Sequence, residues 1–245
     1  MPIMAIVVLA AQIACGIHVI RTGQQLFWLW IIIFAPFIGC LIYLVAVILP
    51  ELAGSPRAHR ARGRAKAIID PNREYRAALD RLEAADTIDN RRAVAEQYLV
   101  RGMYDEAAKL YASTLTGMHA DDPALLYGLA RAEFAAGRFA DAQQALDQLK
   151  AANPDYQSPD AHLLYARALE ALGRDAEARE EYQALAGYYP GAEARVRYAL
   201  LLQKMGETTE ARAMFADIVR SLERAGRRFI REQREWYDLA RKHMG

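Results

Sequence analysis

Charged side chains are almost absent from the first fifth of the sequence. Between Ile3 and Leu49 the only formally charged residue is Arg21, and every aspartate and glutamate lies from Glu51 onward. Composition this uneven is typical of a chain whose parts face different solvents. The near-neutral net charge of +1 is therefore an average over two dissimilar regions.

Cysteine and recognisable catalytic motifs are scarce as well. Cys15 and Cys40 both fall in the apolar region, which excludes a disulfide framework or a Cys-x-x-Cys metal site elsewhere. The later histidines lack metal-ligand spacing, and neither a Gly-rich phosphate loop nor a Gly-x-Ser-x-Gly motif occurs. We therefore expect no enzyme activity, no cofactor and no metal. Residues 67–245 are mildly acidic, which gives no case for nucleic-acid binding.

Two apolar runs occupy residues 1–50. They extend from Ile3 to Ile20 and from Leu26 to Leu49, and about 20 such residues are needed for a helix to cross a bilayer. The polar residues Arg21 to Gln25 supply a turn, so the sequence predicts a two-span transmembrane helical hairpin. We expect Gln12 to form a hydrogen bond across it. A cleaved signal peptide and a lipoprotein signal ending at Cys15 are the alternatives.

A basic stretch follows the second apolar run. Residues 51–70 form a predicted juxtamembrane linker whose basic side chains could rest on anionic lipid headgroups, and these are Arg57, Arg60, Arg62, Arg64 and Lys66. The alternative is a solvated linker that merely stops translocation. The excess of basic residues after the second run predicts a multi-pass protein of the inner membrane with its C-terminal region in the cytoplasm.

The second apolar run has an aromatic start, Trp28 to Trp30, followed by Pro36, Gly39 and Tyr43. In this it resembles the second span of the two-helix module that precedes phospholipase D and cardiolipin synthase catalytic domains. The resemblance implies membrane anchoring. It implies no phospholipase activity, because the family's repeated His-x-Lys-x-x-x-x-Asp signature is absent.

Four later segments share one spacing, a glycine followed five residues on by an alanine. The glycines are 35, 36 and 33 residues apart, and the pairs are Gly102 with Ala107, Gly137 with Ala142, Gly173 with Ala178, and Gly206 with Ala211. Another alanine precedes each glycine by seven residues, and a bulky residue follows each second alanine by four. Small residues at these places allow two helices to approach closely, and glycine permits the turn between them.

This pattern resembles the tetratricopeptide repeat, whose period is about 34 residues. The resemblance implies an all-α fold with about four helix pairs over residues 88–225, an α-solenoid. We predict a leading helix within residues 71–87 and a capping helix within residues 226–245, the latter from Arg227 to His243. Trp236 and Tyr237 could instead contribute to a partner-binding surface.

In tetratricopeptide arrays the first helices of successive units line a concave groove. The resemblance places six candidate partner-binding residues there, which are Arg92, Tyr127, Arg131, Phe134, Arg167 and Lys204. Arginines can bind a carboxylate through two parallel hydrogen bonds, so we expect an acidic or C-terminal segment of a partner protein. The alternative is that the arginines pair with Glu96, Glu133 and Glu170 on a solvated face.

The sequence therefore predicts a membrane-anchored scaffold or adaptor that binds a protein partner at the cytoplasmic face. An alternative is a regulatory or assembly subunit of a membrane enzyme complex that binds its partner through the hairpin. Self-association into a homo-oligomer is left open.

Overall fold

The computed structural model describes residues 2–22, 25, 27–48, 70 and 72–244. Every regular element in these ranges is helical, and they contain no strand. The chain divides into two compact units, Met1–Arg73 and Glu74–Gly245.

In its described residues, the first unit contains three α-helices and a π-helical turn. They are α1 Pro2–Thr22, α2 Phe27–Phe34, α3 Pro36–Tyr43 and the turn Leu44–Ile48. The break between α2 and α3 lies at Ala35, directly before Pro36. Proline has no backbone N–H, so the carbonyl of Ile32 lacks its usual helical donor. Gln12 Nε2 donates to that carbonyl at 2.8 Å, which confirms the expected bond across the hairpin.

The contacts within this unit combine polar bonds with a small buried cluster. His18 Nδ1 lies 3.0 Å from the Tyr43 hydroxyl, and Tyr43 is buried with Cys15, Val19 and Ile32. On α1, Leu9, Ile13, Ile17 and Ile20 are exposed. The helices are thus held by few buried apolar side chains, while many apolar side chains lie outside.

The predicted localisation is wrong. Among the residues that the structure describes, no helix combines the length and the apolar character required to cross a bilayer. The break at Ala35 leaves α2 and α3 with eight residues each, far below the roughly 20 that a span needs. The two-span hairpin is therefore unsupported, and the multi-pass inner-membrane assignment is overturned. The basic residues Arg57, Arg60, Arg62, Arg64 and Lys66 lie outside the described residues.

Helix α4, Arg73–Ala84, starts at the boundary between the units, and four helix pairs follow it in the second unit. These are α5 Ile88–Val100 with α6 Tyr104–Thr114, α7 Pro123–Ala135 with α8 Phe139–Ala152, α9 Pro159–Ala171 with α10 Asp175–Ala186, and α11 Glu193–Lys204 with α12 Thr208–Ala225. A short 3₁₀ turn, Gly117–His119, joins the first two pairs. The expected solenoid of helix pairs is confirmed.

The same turn closes the first helix of every pair. The glycines have φ values of +73°, +81°, +74° and +90° at Gly102, Gly137, Gly173 and Gly206. The N–H after each glycine donates to the carbonyl five residues earlier, as from Met103 to Tyr98 at 2.9 Å. This is the Schellman arrangement. The residue before the donating N–H has a positive φ, a conformation that glycine adopts readily. The repeated glycine in the sequence therefore marks a backbone requirement.

The small residues of the motif form the contact between the paired helices. The eight alanines on either side of the turns are at most 1% exposed, and they are Ala95, Ala107, Ala130, Ala142, Ala166, Ala178, Ala199 and Ala211. The bulky residues four positions after the second alanines are also buried, and these are Tyr111, Leu146, Tyr182 and Phe215. The packing inferred from the motif is confirmed.

The C-terminal segment differs from its prediction. Instead of one helix from Arg227 to His243, the structure has α13 Arg227–Glu232 and α14 Arg234–His243. Gln233 between them accepts a hydrogen bond from the backbone N–H of Ala192 at 3.1 Å. That bond holds the bend against the fourth pair. On α14, Trp236 packs against the apolar core of the last pairs, and Ala240 is fully buried.

Gly128 allows the first two pairs to pack closely. A Cβ atom at Gly128 would lie 2.4 Å from the ring of Tyr111, which is itself buried. We expect Gly128→Ala to lower the free energy of unfolding by about 1–3 kcal/mol, because neither group can move freely in a packed core. Urea denaturation of the full chain measures this.

Gly187→Ala is the matched control. Its added methyl group would meet only the Ala184 carbonyl at 3.5 Å, and its φ of −81° suits alanine. The variant should be as stable as the wild type or slightly more stable. Equal stability of the two alanine variants would contradict the packing argument.

Candidate functional site

The candidate groove is formed by the first helices of the pairs. Helices α5, α7 and α9 contact one another in succession, and these three together with α11 are called the inner layer of the solenoid. The six candidate residues predicted from the sequence lie on this layer, on α5, α7, α9 and α11. The structure assigns them different partners.

Three of the six candidates already have carboxylate partners. Arg92 pairs with Asp89 at 3.1 Å within α5, and Lys204 pairs with Asp175 at 2.7 Å. Arg131 Nη1 pairs with Glu96 Oε1 at 2.7 Å. The positive charges of these side chains are therefore already paired within the chain. For Arg131 the partner is Glu96, as the alternative interpretation of the sequence predicts. A ligand would have to displace their partners.

The Arg131 pair belongs to a network that joins the first two helix pairs. Glu96 Oε1 also accepts a hydrogen bond from the Tyr111 hydroxyl at 2.8 Å, and Arg131 lies 5.7 Å from the ring centre of Tyr127. Burial and the neighbouring Glu96 raise the pKa of Tyr111 far above its usual value. Tyr111 therefore stays a hydrogen-bond donor, and Glu96 stays fixed between a phenol and a guanidinium.

Arg167 is arranged differently. Its guanidinium carbon lies 4.7 Å above the ring centre of Phe134, and that ring packs edge-on against Phe139 with 5.2 Å between centroids. Within residues 72–244, no carboxylate forms an ion pair or a hydrogen bond with Arg167. Burial and then the nearby positive charge of Arg197 lower the pKa of Arg167. A half-buried guanidinium that has no bonded carboxylate is a favourable place for an anion.

The nearest acidic side chain on the same helix is occupied. Glu170 Oε2 accepts a hydrogen bond from the Tyr182 hydroxyl at 2.8 Å, and burial followed by Glu170 raises the pKa of Tyr182. Glu170 is thus hydrogen-bonded to Tyr182 and does not form the pair with Arg167 that the alternative interpretation of the sequence predicts. Glu133 likewise pairs with Arg138.

The far end of the inner layer is covered by the C-terminal segment. Arg197 pairs with Glu193 at 2.8 Å, and its guanidinium lies 5.1 Å from the ring centre of Trp236. His243 Nδ1 lies 2.9 Å from Gln203 Oε1 on α11. Trp236 therefore contacts the fourth pair itself. The open part of the groove lies around α7 and α9.

The two tyrosine–glutamate bonds were missed by sequence reasoning, which treated Tyr111 and Tyr182 only as packing residues. The available signal was a tyrosine at the bulky position of the first and third repeats, with a glutamate on the preceding helix. Leucine and phenylalanine occupy that position in the other repeats. A buried tyrosine needs a hydrogen-bond partner, so those two repeats require an acceptor.

Comparison with known families supports this architecture. Residues 98–158 match one model of the tetratricopeptide repeat, and residues 160–192 and 193–221 match another. A search of curated proteins finds no match to this chain. Because the family matches begin at residue 98, the resemblance of residues 28–43 to the phospholipase D and cardiolipin synthase module is not shown.

Solved structures with the same fold include a structure titled MamA MSR-1 C2 and the thermophilic tetratricopeptide repeat protein TTC0263 from Thermus thermophilus. The first is 22% identical, with a TM-score of 0.54, over 66% of this chain and 96% of that chain. The second is 18% identical, with a TM-score of 0.53, over 75% and 94%. At this level of identity the likeness shows the fold alone.

Alkaline stability tests the tyrosines whose pKa values are raised in the folded chain. Burial and Asp160 raise the pKa of Tyr189 to about 12, and the pKa values of Tyr111 and Tyr182 are raised as well. An unfolded tyrosine ionises near pH 10, so between about pH 10 and 12 the folded chain binds more protons than the unfolded chain. The free energy of unfolding should therefore fall as pH rises through this window.

Urea denaturation at several pH values, with absorbance at 295 nm reporting tyrosinate, measures this slope. Tyr182→Phe should reduce the slope because it removes one titrating phenol. Tyrosinate formation in the folded chain near pH 10 at all sites would contradict the assignment.

Proposed function

We propose that this chain, which carries tetratricopeptide repeats between residues 98 and 221, is an adaptor that binds a protein partner through a carboxylate on the inner face of α7 and α9. Repeat solenoids of this kind present extended concave surfaces for binding. Arg167 anchors the partner's carboxylate, which belongs to an acidic side chain or to a C-terminus.

The observation that carries this proposal is the contrast between Arg167 and the other cations of the inner layer. Arg92, Arg131, Arg197 and Lys204 each have a carboxylate within 3.1 Å. Arg167 has an aromatic ring beneath it and a second guanidinium nearby. A bound carboxylate would provide the missing counter-charge without breaking an internal ion pair.

The surroundings of Arg167 also favour a defined geometry. A guanidinium stacked on a ring keeps its plane roughly fixed, so its N–H groups can meet both oxygens of one carboxylate. Phe134 holds the guanidinium from one side, while Phe134 itself is braced by Phe139. The half-buried Tyr127 precedes Phe134 by two turns of the same helix and offers an apolar contact to the rest of a peptide.

Peptide binding tests the anchor. The probe is a set of fluorescein-labelled ten-residue peptides ending in Asp or Glu, each prepared with a free and an amidated C-terminus, measured by fluorescence polarisation against the full chain. For the best binder, Arg167→Gln should weaken binding at least tenfold, about 1.4 kcal/mol, because it removes a charged donor pair. Loss on amidation would indicate recognition of the terminal carboxylate.

Arg92→Gln is the control, since it makes the same chemical change on the same layer at a residue already paired with Asp89. It should change affinity by less than about twofold, as expected for an exposed, locally paired charge. Equal losses in both variants, or binding unchanged by Arg167→Gln, would contradict the proposal. So would the absence of binding by every acidic peptide.

A further inference from the structure

A second concave site lies between the second and third helix pairs. It is a cavity of about 610 Å³, bounded by the end of α8, the loop that leads into α9, and the end of the third pair. Its size falls within the range of pockets that hold small ligands. Leu146, Leu149 and Ala161 provide apolar lining.

This cavity is separate from the groove around Arg167. It is lined by Tyr165 of α9, which stands two residues before Arg167. Two residues correspond to about 200° around an α-helix, so Tyr165 faces the opposite side from the candidate groove residues. The lining from α8 and from Glu181 of α10 agrees with this, because those are the second helices of their pairs.

Aromatic rings form much of the wall. Tyr156, Tyr165 and Tyr188 all line the cavity, and Tyr156 and Tyr188 are 38% and 53% exposed. Aromatic side chains favour offset or edge-on contacts with another ring. The combination of three tyrosines with leucine lining therefore fits a planar aromatic group.

The charged groups that line the cavity differ in whether they are already bonded to other side chains. His162 uses both ring nitrogens, one with the Tyr188 hydroxyl and one with Glu181 Oε2. Burial and then Glu181 raise the pKa of Tyr188, which keeps it a hydroxyl. Lys150 Nζ lies 6.0 Å from the ring centre of Tyr165, and in the described part of the chain it has no acidic partner. Among the described charged residues of the lining, Lys150 is thus the cation that forms no ion pair.

We propose that this cavity binds an aromatic ring that carries a nearby carboxylate, with the ring among the tyrosines and the carboxylate at Lys150. The ligand could be a free aromatic acid or the C-terminal phenylalanine of a peptide, since both present the same two groups. The site is independent of the groove at Arg167.

Saturation-transfer NMR on the full chain tests the site with three probes. These are 3-phenylpropionate, the peptide Gly-Ser-Gly-Ser-Phe with a free C-terminus, and phenethylamine as the cationic counterpart. We expect 3-phenylpropionate or the peptide to bind. Phenethylamine should bind at least about fivefold more weakly, because it carries no carboxylate to contact Lys150. Preference for the free acid indicates a small-molecule site, and preference for the peptide indicates recognition of a protein C-terminus.

Substitutions of Lys150 test whether this residue binds the carboxylate of the ligand. Lys150→Gln should weaken the preferred anionic probe about fivefold, a typical effect of losing one charge-assisted contact, and Lys150→Arg should retain binding. Lys109→Gln removes the same charge from an exposed position on α6, outside the cavity lining, and should have no effect. Far-UV circular dichroism checks that each variant is folded.

Three results would overturn the proposal. They are tighter binding of phenethylamine than of 3-phenylpropionate, equal loss with Lys150→Gln and Lys109→Gln, and no saturation transfer to either anionic probe. Arg167→Gln should leave these signals unchanged, which separates this cavity from the inner-face site.

Discussion

The close contact of the two helices in each pair is the constraint on which the second unit depends. Alanines on both helices meet with essentially no exposed surface, and a glycine with positive φ closes the turn between them. A larger side chain at either place would separate the helices, because interiors are packed at crystal-like density. The inner layer of first helices, and therefore the groove, exists because this contact repeats four times.

Stacking of the repeats then determines which polar groups remain available. Arg131 reaches Glu96 on the preceding repeat, and Glu96 is also held by Tyr111. One repeat later, the position that corresponds to Glu96 is Arg131 itself, so Arg167 lies over Phe134 instead of pairing with a glutamate. Two arginines at matching repeat positions thus differ in their surroundings: Arg131 pairs with a glutamate of the neighbouring repeat, and Arg167 stacks on an aromatic ring.

The first unit shows how one proline changes the interpretation of an apolar sequence. Composition alone favours a continuous second span, yet the missing N–H of Pro36 and the break at Ala35 divide it into short helices. The freed carbonyl of Ile32 is satisfied from α1 by Gln12. Gln12, a polar residue within the first apolar run, therefore supplies the hydrogen-bond donor that Pro36 lacks.

The sequence by itself determined the number of repeats, the position of their turns and the small residues at the helix contacts. These features follow from local rules, namely glycine at positive φ and alanine where helices touch, and they recur at a fixed period. Only the tertiary structure decided that Arg131 is paired and Arg167 is not, that the C-terminal segment bends at Gln233, and that a cavity lies beside Lys150. Each of these depends on side chains about 20 to 40 residues apart in sequence, whose meeting is set by how successive repeats stack and not by the motif within any one of them.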